Sequence, residues 1–71
     1  MKVYLVLQKR DSEVYPSIYK KIKDALKIAR QIAKDNSLKL FKTHKEFHPI
    51  LWLAVDRDDG DYIQIEEVEL Q

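Results

Sequence analysis

The chain has 71 residues, 45% hydrophobic and 35% charged, with no cysteine and a net charge of +1 at pH 7. This length suits a single domain, 1–71, near the lower limit at which one core is sufficient. The composition indicates a folded, well-solvated protein, and the missing cysteines exclude a disulfide framework and a thiolate zinc site. No apolar run approaches the roughly 20 residues of a membrane span, so we expect a cytoplasmic protein without a membrane partner.

The small net charge conceals a strong segregation of charge along the chain. Residues 1–45 hold twelve Lys or Arg and four Asp or Glu, whereas residues 46–71 hold one Arg and eight Asp or Glu. A binding partner responds to the local field rather than to the total charge. The same asymmetry also fits a fold that pairs its own basic helix with its own acidic strand.

The first 17 residues predict a buried strand followed by a turn. The segment "KVYLVLQ" (2–8) is apolar at both alternating sets of positions, as in a buried strand. The polar "KRDSE" predicts a turn, and "VYPS" adds a short extended piece. Pro16 keeps Tyr15 out of the helical region, and Ser17 is the expected helix N-cap.

A helix is predicted over residues 18–35, ending before Asn36. At roughly 100° per residue, the apolar side chains fall within an arc of about 140° and predict a core-facing stripe. On one flank, five cations fall within about 80° of each other by the same geometry. We call them the basic ridge: Lys20, Lys23, Lys27, Arg30 and Lys34.

Residues 37–48 are compatible with two local structures. Leu38 and Leu40 alternate as in a short strand, while Thr43 and Glu46 have the spacing of a capping box. The sequence leaves the choice open.

The last third predicts a hairpin. Segment 50–56 is a second strand that is apolar at both alternating sets of positions. The Asp-Gly pair in "RDDGD" is a hairpin turn signal, and segment 62–70 is the return strand. After Ile65 the apolar positions pass from odd to even numbers, at Val68 and Leu70. This shift predicts either a bulge or a change of face.

Together these elements predict an α+β fold, with one main helix on a mostly antiparallel sheet of three or four strands. One helix covers one face, yet two strands are apolar on both faces, as doubly covered strands are. Residues 37–48 carry few apolar side chains, so a second copy is the predicted cover and the protein is expected to be a homodimer. Tyr4, Val6 and Trp52 belong to one of the two alternating sets of strand positions. If the helix packs on the other set, these three residues form the dimer interface, and if it packs on theirs, they belong to the core.

The basic ridge allows three interpretations. It can bind an acidic protein partner, it can bind nucleic-acid phosphates without sequence preference, or it can be a solvated face with internal ion pairs. Lys20 and Lys21 lie in the first turn of the predicted helix, where free N–H groups after Ser17 add to a small anion site. The acidic second half and the lack of aromatic platforms disfavour nucleic acid.

Metal sites and catalysis are not expected. The stretch "DRDDGD" (56–61) resembles a calcium loop, but its glycine stands at position 5 instead of 6, and a hairpin turn explains every residue. His44 and His48 have zinc-ligand spacing with Glu46 nearby, but no third ligand is evident. No nucleophile has a base at a suggestive spacing, and the single Gly60 excludes a glycine-rich phosphate loop. We predict no cofactor and no enzymatic activity.

The segments "VYLV", "KDALKIARQIAK" and "DGDYIQIEEVEL" resemble in layout the small α+β proteins of unknown function found in phages, prophages and mobile elements. The resemblance covers the whole chain without a diagnostic motif, so it carries over no site residue. It implies a binder of host or defence components, or an accessory factor. The lysine-rich helix also resembles those of thermophile proteins. The prediction is a non-catalytic interaction module presenting the basic ridge, with nucleic-acid binding as the alternative.

Overall fold

The structure is a computed structural model that describes residues 1–71, with one helix on a five-stranded antiparallel sheet. The spatial strand order is β2-β1-β5-β4-β3. The predicted α+β class is confirmed, with five strands instead of three or four. The elements are β1 (Lys2–Arg10), β2 (Glu13–Tyr19), α1 (Ile22–Asp35), β3 (Phe41–Lys42), a 3₁₀ turn (Lys45–Phe47), β4 (Ile50–Val55) and β5 (Tyr62–Glu69).

Strands β1 and β2 form a hairpin whose turn contains only Asp11 and Ser12. Both residues have positive φ, 53° and 70°, as the two central residues of a type I′ turn do. Such a turn matches the twist of the flanking strands. It therefore holds β2 against β1 over its full length, where the sequence predicted only a short extended piece.

The predicted start of the helix at residue 18 is wrong. Ile18 and Tyr19 belong to β2, opposite Leu5 and Tyr4 of β1, and α1 begins at Ile22. An isoleucine and a tyrosine fit a strand as well as a helical stripe, so spacing alone did not separate the two. Backbone pairing with β1 decides the outcome.

The N-terminal anion site also fails, because the helix N-cap is Lys21 and not Ser17. Ser17 lies within β2, opposite Val6 of β1 and five residues before the helix begins at Ile22. Its hydroxyl is therefore not at the helix end where the free N–H groups lie.

The predicted end of the helix is confirmed. Asn36 is the C-cap, and its side-chain amide donates to the Ile32 carbonyl at 2.8 Å. Ser37 then takes a positive φ of 57°, and Leu38 N donates to the Ala33 carbonyl at 2.7 Å. These bonds satisfy carbonyls that a helix end otherwise leaves free.

The core lies between α1 and one face of the sheet. Three alanines of α1, at positions 25, 29 and 33, are buried, and their small side chains let the helix approach the strands closely. Around this contact lie partly buried side chains that close its margins. The strand residues of the core are Val6, Ala54, Ile63 and Ile65, and the surrounding residues are Tyr4, Tyr19, Leu26, Ile32, Leu38, Leu40 and Trp52.

Residues 37–48 combine features of both predicted structures. Phe41–Lys42 forms the edge strand β3, and the 3₁₀ turn follows without the capping box, since its N-cap His44 makes no side-chain cap bond. The Thr43 hydroxyl instead donates to the Ile50 carbonyl. This segment extends the sheet sideways and packs Leu38 and Leu40 on the helix side.

The shift of apolar positions in β5 is a change of face. β5 pairs with β1 in unbroken register from Tyr62 to Glu69, so no bulge interrupts that ladder. The irregularity lies in the neighbouring strand, between Ile50 and Trp52 of β4.

Candidate interaction surfaces

The register shows which side chains lie on each face of the sheet, because directly paired residues of antiparallel strands share a face. Val6 pairs with Ile65 and lies on the face beneath α1, the covered face. Leu7 pairs with Gln64 and Leu5 with Glu66, so these four lie on the opposite face, the open face.

The open face is largely apolar across all five strands. No helix or strand packs on it, and several of its side chains are strongly exposed, with Ile18 at 68% and Phe41 at 50%. Only three polar side chains, Lys9, Gln64 and Glu66, interrupt it. Val3, at one end of this face, is only 5% exposed. The apolar members of the face are Val3, Leu5, Leu7, Val14, Pro16, Ile18, Phe41, Leu53, Val55, Tyr62 and Val68, with Ile50 at the irregularity of β4.

The three residues predicted for a dimer interface lie on the covered face. Val6 is only 1% exposed within the core, and Tyr4 and Trp52 pack against the same cluster. Val6 is unavailable to a second copy in this fold because α1 covers it, and the partly buried Tyr4 and Trp52 lie on the same side of the sheet as α1, away from the open face. Of the two outcomes that the sequence allowed, the structure shows the second, in which α1 packs on the set that contains these three residues. The residues that remain uncovered are the opposite set, centred on Leu5, Leu7 and Leu53.

Four of the five ridge cations lie on one exposed surface of α1. Lys23, Lys27, Arg30 and Lys34 line it together with Asp24 and Gln31. Lys20 falls in the bend before the helix, because β2 extends to Tyr19, so the predicted five-cation helical line is shortened. No ridge cation has a carboxylate within 4.0 Å. The acidic second half of the chain therefore does not neutralise the ridge.

One ridge residue also contacts the core. The Arg30 guanidinium carbon lies 5.6 Å from the centre of the Trp52 ring, within the range of a cation–π contact. This contact joins the ridge on α1 to the margin of the sheet at β4.

Charge pairing within the chain concentrates where β1 begins and β5 ends. Glu67 accepts from the Lys2 ammonium at 2.9 Å and lies 3.1 Å from His48 Nε2, and its side chain is 15% exposed. The hydrogen bond from Lys2, followed by that from His48, lowers the pKa of Glu67, and the same carboxylate raises the pKa of Lys2. The sequence did not predict this cluster, because Lys2 and His48 lie 65 and 19 residues away from Glu67 along the chain.

The acidic turn "DRDDGD" has the geometry of a hairpin connection. Asp56 Oδ1 accepts from the backbone N–H groups of Asp58 and Asp59 at 3.0 and 3.4 Å, and Gly60 takes a φ of 73°. Lys9 Nζ donates to the Gly60 carbonyl at 3.2 Å. No three His, Cys, Asp or Glu side chains converge anywhere in the chain as a metal site requires. His48 is directed at Glu67 instead.

Comparisons with known proteins add no relative. No protein family, curated protein or solved structure matches the chain significantly. The resemblance to phage, prophage and mobile-element proteins therefore stays a prediction from layout. Helix α1 lacks the length and apolar character needed to cross a membrane.

Proposed function

We propose that the protein is a non-catalytic interaction module that pairs with a second copy through the open face and presents its basic ridges outward to an acidic protein partner. The observation that carries the proposal is the open face itself, an apolar surface that spans five strands with no element of the chain on it. Contiguous exposed apolar surface of this kind usually marks an interface.

The exposed area of the chain supports pairing. Its accessible surface is 5480 Å², whereas a compact monomer of 8.5 kDa is expected to expose about 4,700 Å². The excess, about 800 Å², equals what each partner buries in a standard protein interface. A face-to-face dimer accounts for an excess of this size.

The charges on the open face favour a second copy as its occupant. Leu7 and Gln64 lie opposite each other, with Lys9 two residues to one side and Glu66 two residues to the other. Lys9 and Glu66 are therefore diagonal to each other across this pair. A two-fold axis that lies between the two facing sheets, over the centre of the pair and perpendicular to the line from Lys9 to Glu66, places Lys9 of each copy opposite Glu66 of the other. Such self-complementarity is what a symmetric interface requires.

The basic ridge would then lie on the outer side of each copy, since α1 covers the face opposite to the open one. Its cations have no carboxylate partner within 4.0 Å, so their charge is available to an acidic protein. Nucleic-acid phosphates are the alternative occupant. Two features disfavour nucleic acid. The Asp24 carboxylate in the ridge surface repels phosphates, and Trp52, the single indole of the chain, already stacks with Arg30 instead of being free to stack on a base.

Sedimentation velocity on charge-swapped variants tests the dimer. The wild type should sediment as a dimer at tens of micromolar, K9E and E66K should weaken the association, and the double variant K9E/E66K should restore it. K34E, which alters an exposed lysine of α1 on the other side of the sheet, is the matched control. A wild-type chain that stays monomeric at several hundred micromolar would contradict the proposal, as would a double variant no better than the single ones.

A gel-shift titration at two salt concentrations tests the ridge. A salt-sensitive shift of duplex or single-stranded nucleic acid, lost in K23E/K27E, would replace the acidic protein with nucleic acid as the partner. No shift at tens of micromolar would favour the protein partner. That partner would then be sought by affinity capture, with K23E/K27E as the control.

A further inference from the structure

A groove that the sequence did not predict lies between the first two turns of α1 and the segment that runs from β3 to β4. Its volume is about 670 Å³, within the range of about 300–1,000 Å³ typical of ligand sites. We call it the Trp52 groove. Its apolar lining is Ile22, Leu26, Ile50, Leu51 and Trp52.

The polar lining of the Trp52 groove carries no carboxylate. It consists of Lys42, Lys45, Thr43 and two histidines, so every ionisable side chain in it is an ammonium or an imidazole. The nearby Glu67 is held by Lys2 and His48 and does not line the groove. An anionic occupant therefore meets complementary charge at the rim, while an apolar side chain meets the floor.

The wall opposite α1 is fixed by hydrogen bonds. Thr43 N donates to the Leu51 carbonyl at 3.0 Å, and the Thr43 hydroxyl donates to the Ile50 carbonyl. The irregular register between Ile50 and Trp52 lies at the floor. These bonds make the groove a preformed feature of the fold, which reduces the entropy lost when a ligand binds.

The groove continues into the basic ridge through Trp52. This indole lines the groove, and Arg30 of the ridge stacks over its ring at 5.6 Å. An occupant that satisfies both surfaces must place an apolar group in the groove and extend negative charge along α1. An acidic peptide segment has this form, whereas a small carboxylate spans the groove alone.

We propose that the Trp52 groove is an anchor site for an acidic peptide segment, which inserts one bulky apolar side chain between α1 and β4. The carboxylates on one side of this residue lie against Lys42 and Lys45, and those on the other side lie along the basic ridge of α1. The inference rests on the proposed function in that the partner is acidic, but it does not require dimerisation. It names the part of the partner that is recognised: an apolar residue flanked by Asp or Glu.

Intrinsic fluorescence tests this site directly, because Trp52 is the single tryptophan of the chain. The probe is the acetylated and amidated peptide Glu-Glu-Leu-Phe-Glu-Glu. We expect a saturable change in Trp52 emission, lost when Leu-Phe is replaced by Ser-Ser. In K42E/K45E the apparent Kd should rise at least about fivefold, from the loss of several rim charge contacts. The exposed-lysine control K39E should change it less than about twofold.

Three results would overturn the anchor site: no saturable change, an equal response to the Ser-Ser peptide, or equal effects of K39E and K42E/K45E. A response to dodecanoate without a response to the peptide would also overturn it, in favour of a small amphipathic anion. The dimer is judged separately by sedimentation. A peptide that fails on a dimeric protein removes only the anchor site, and a peptide that binds a monomeric chain removes only the dimer.

Discussion

The two faces of the sheet differ in what completes them. On the covered face, Ile63 and Ile65 lie beneath α1, whose three buried alanines allow close contact. On the open face, their neighbours Gln64 and Glu66 lie among leucines that no element covers. The same strand thus contributes to a closed core on one side and to an incomplete one on the other. In so small a domain, burying a second apolar layer requires surface from outside the chain.

The largest contrast between the faces should appear in stability. I65A removes buried methyl groups beneath α1 and should lower the free energy of unfolding by about 2–5 kcal/mol. L7A, on the open face, should cost less than half as much when measured on the dilute, dissociated chain, because fewer contacts surround it. Urea unfolding of both variants measures the difference. Equal losses would show that both faces are equally packed within one chain.

The open face should control self-association without controlling the fold. L7E places a charge at the centre of the proposed interface and should raise the dimer Kd at least about tenfold, since a buried unpaired charge is costly. Its circular dichroism spectrum should match that of the wild type. Sedimentation equilibrium gives the Kd, with K34E on α1 as the control. An unchanged Kd in L7E would place the contact elsewhere.

Adjacent glutamates on opposite faces should differ in their response to acid. The bonds from Lys2 and His48 lower the pKa of Glu67 in the folded protein below its value in the unfolded chain. The ionised carboxylate therefore stabilises the fold above the unfolded pKa, and this stabilisation is lost as the pH falls through the folded pKa. Glu66 has no charged partner within 4.0 Å. Between about pH 6 and about pH 3, the melting temperature of the wild type should therefore fall more steeply than that of E67Q.

The matched control for this titration is E66Q, melted at a concentration where the chain is monomeric. Its profile should follow the wild type, because the Glu66 carboxylate makes no ion pair within the chain. If E66Q flattened the profile as much as E67Q, the strand-end cluster would not be the source of the acid sensitivity.

The smallest effect on stability is expected at the basic ridge. K23E/K27E alters exposed charges without ion pairs, so the free energy of unfolding should change by less than about 0.5 kcal/mol per site. Thermal melts at low and moderate salt measure this. A loss of several kcal/mol would mean that the ridge serves the fold, leaving less reason to assign it to a partner.

The sequence by itself determined the elements whose signals are local. The body of α1, its end at Asn36, the two strands that are apolar on both sides and the Asp-Gly hairpin all follow from spacing and turn chemistry. The presence of an uncovered apolar face followed as well, because one helix covers only one side of a sheet.

Only the tertiary structure decided which residues form that face. Alternation has a period of two, so the set Leu5/Leu7 and the set Tyr4/Val6 were equivalent until α1 was placed on one of them. The same holds for β2, the Trp52 groove and the Glu67 cluster. Each depends on contacts between segments distant in sequence, and local pattern carries no information about which distant segments meet.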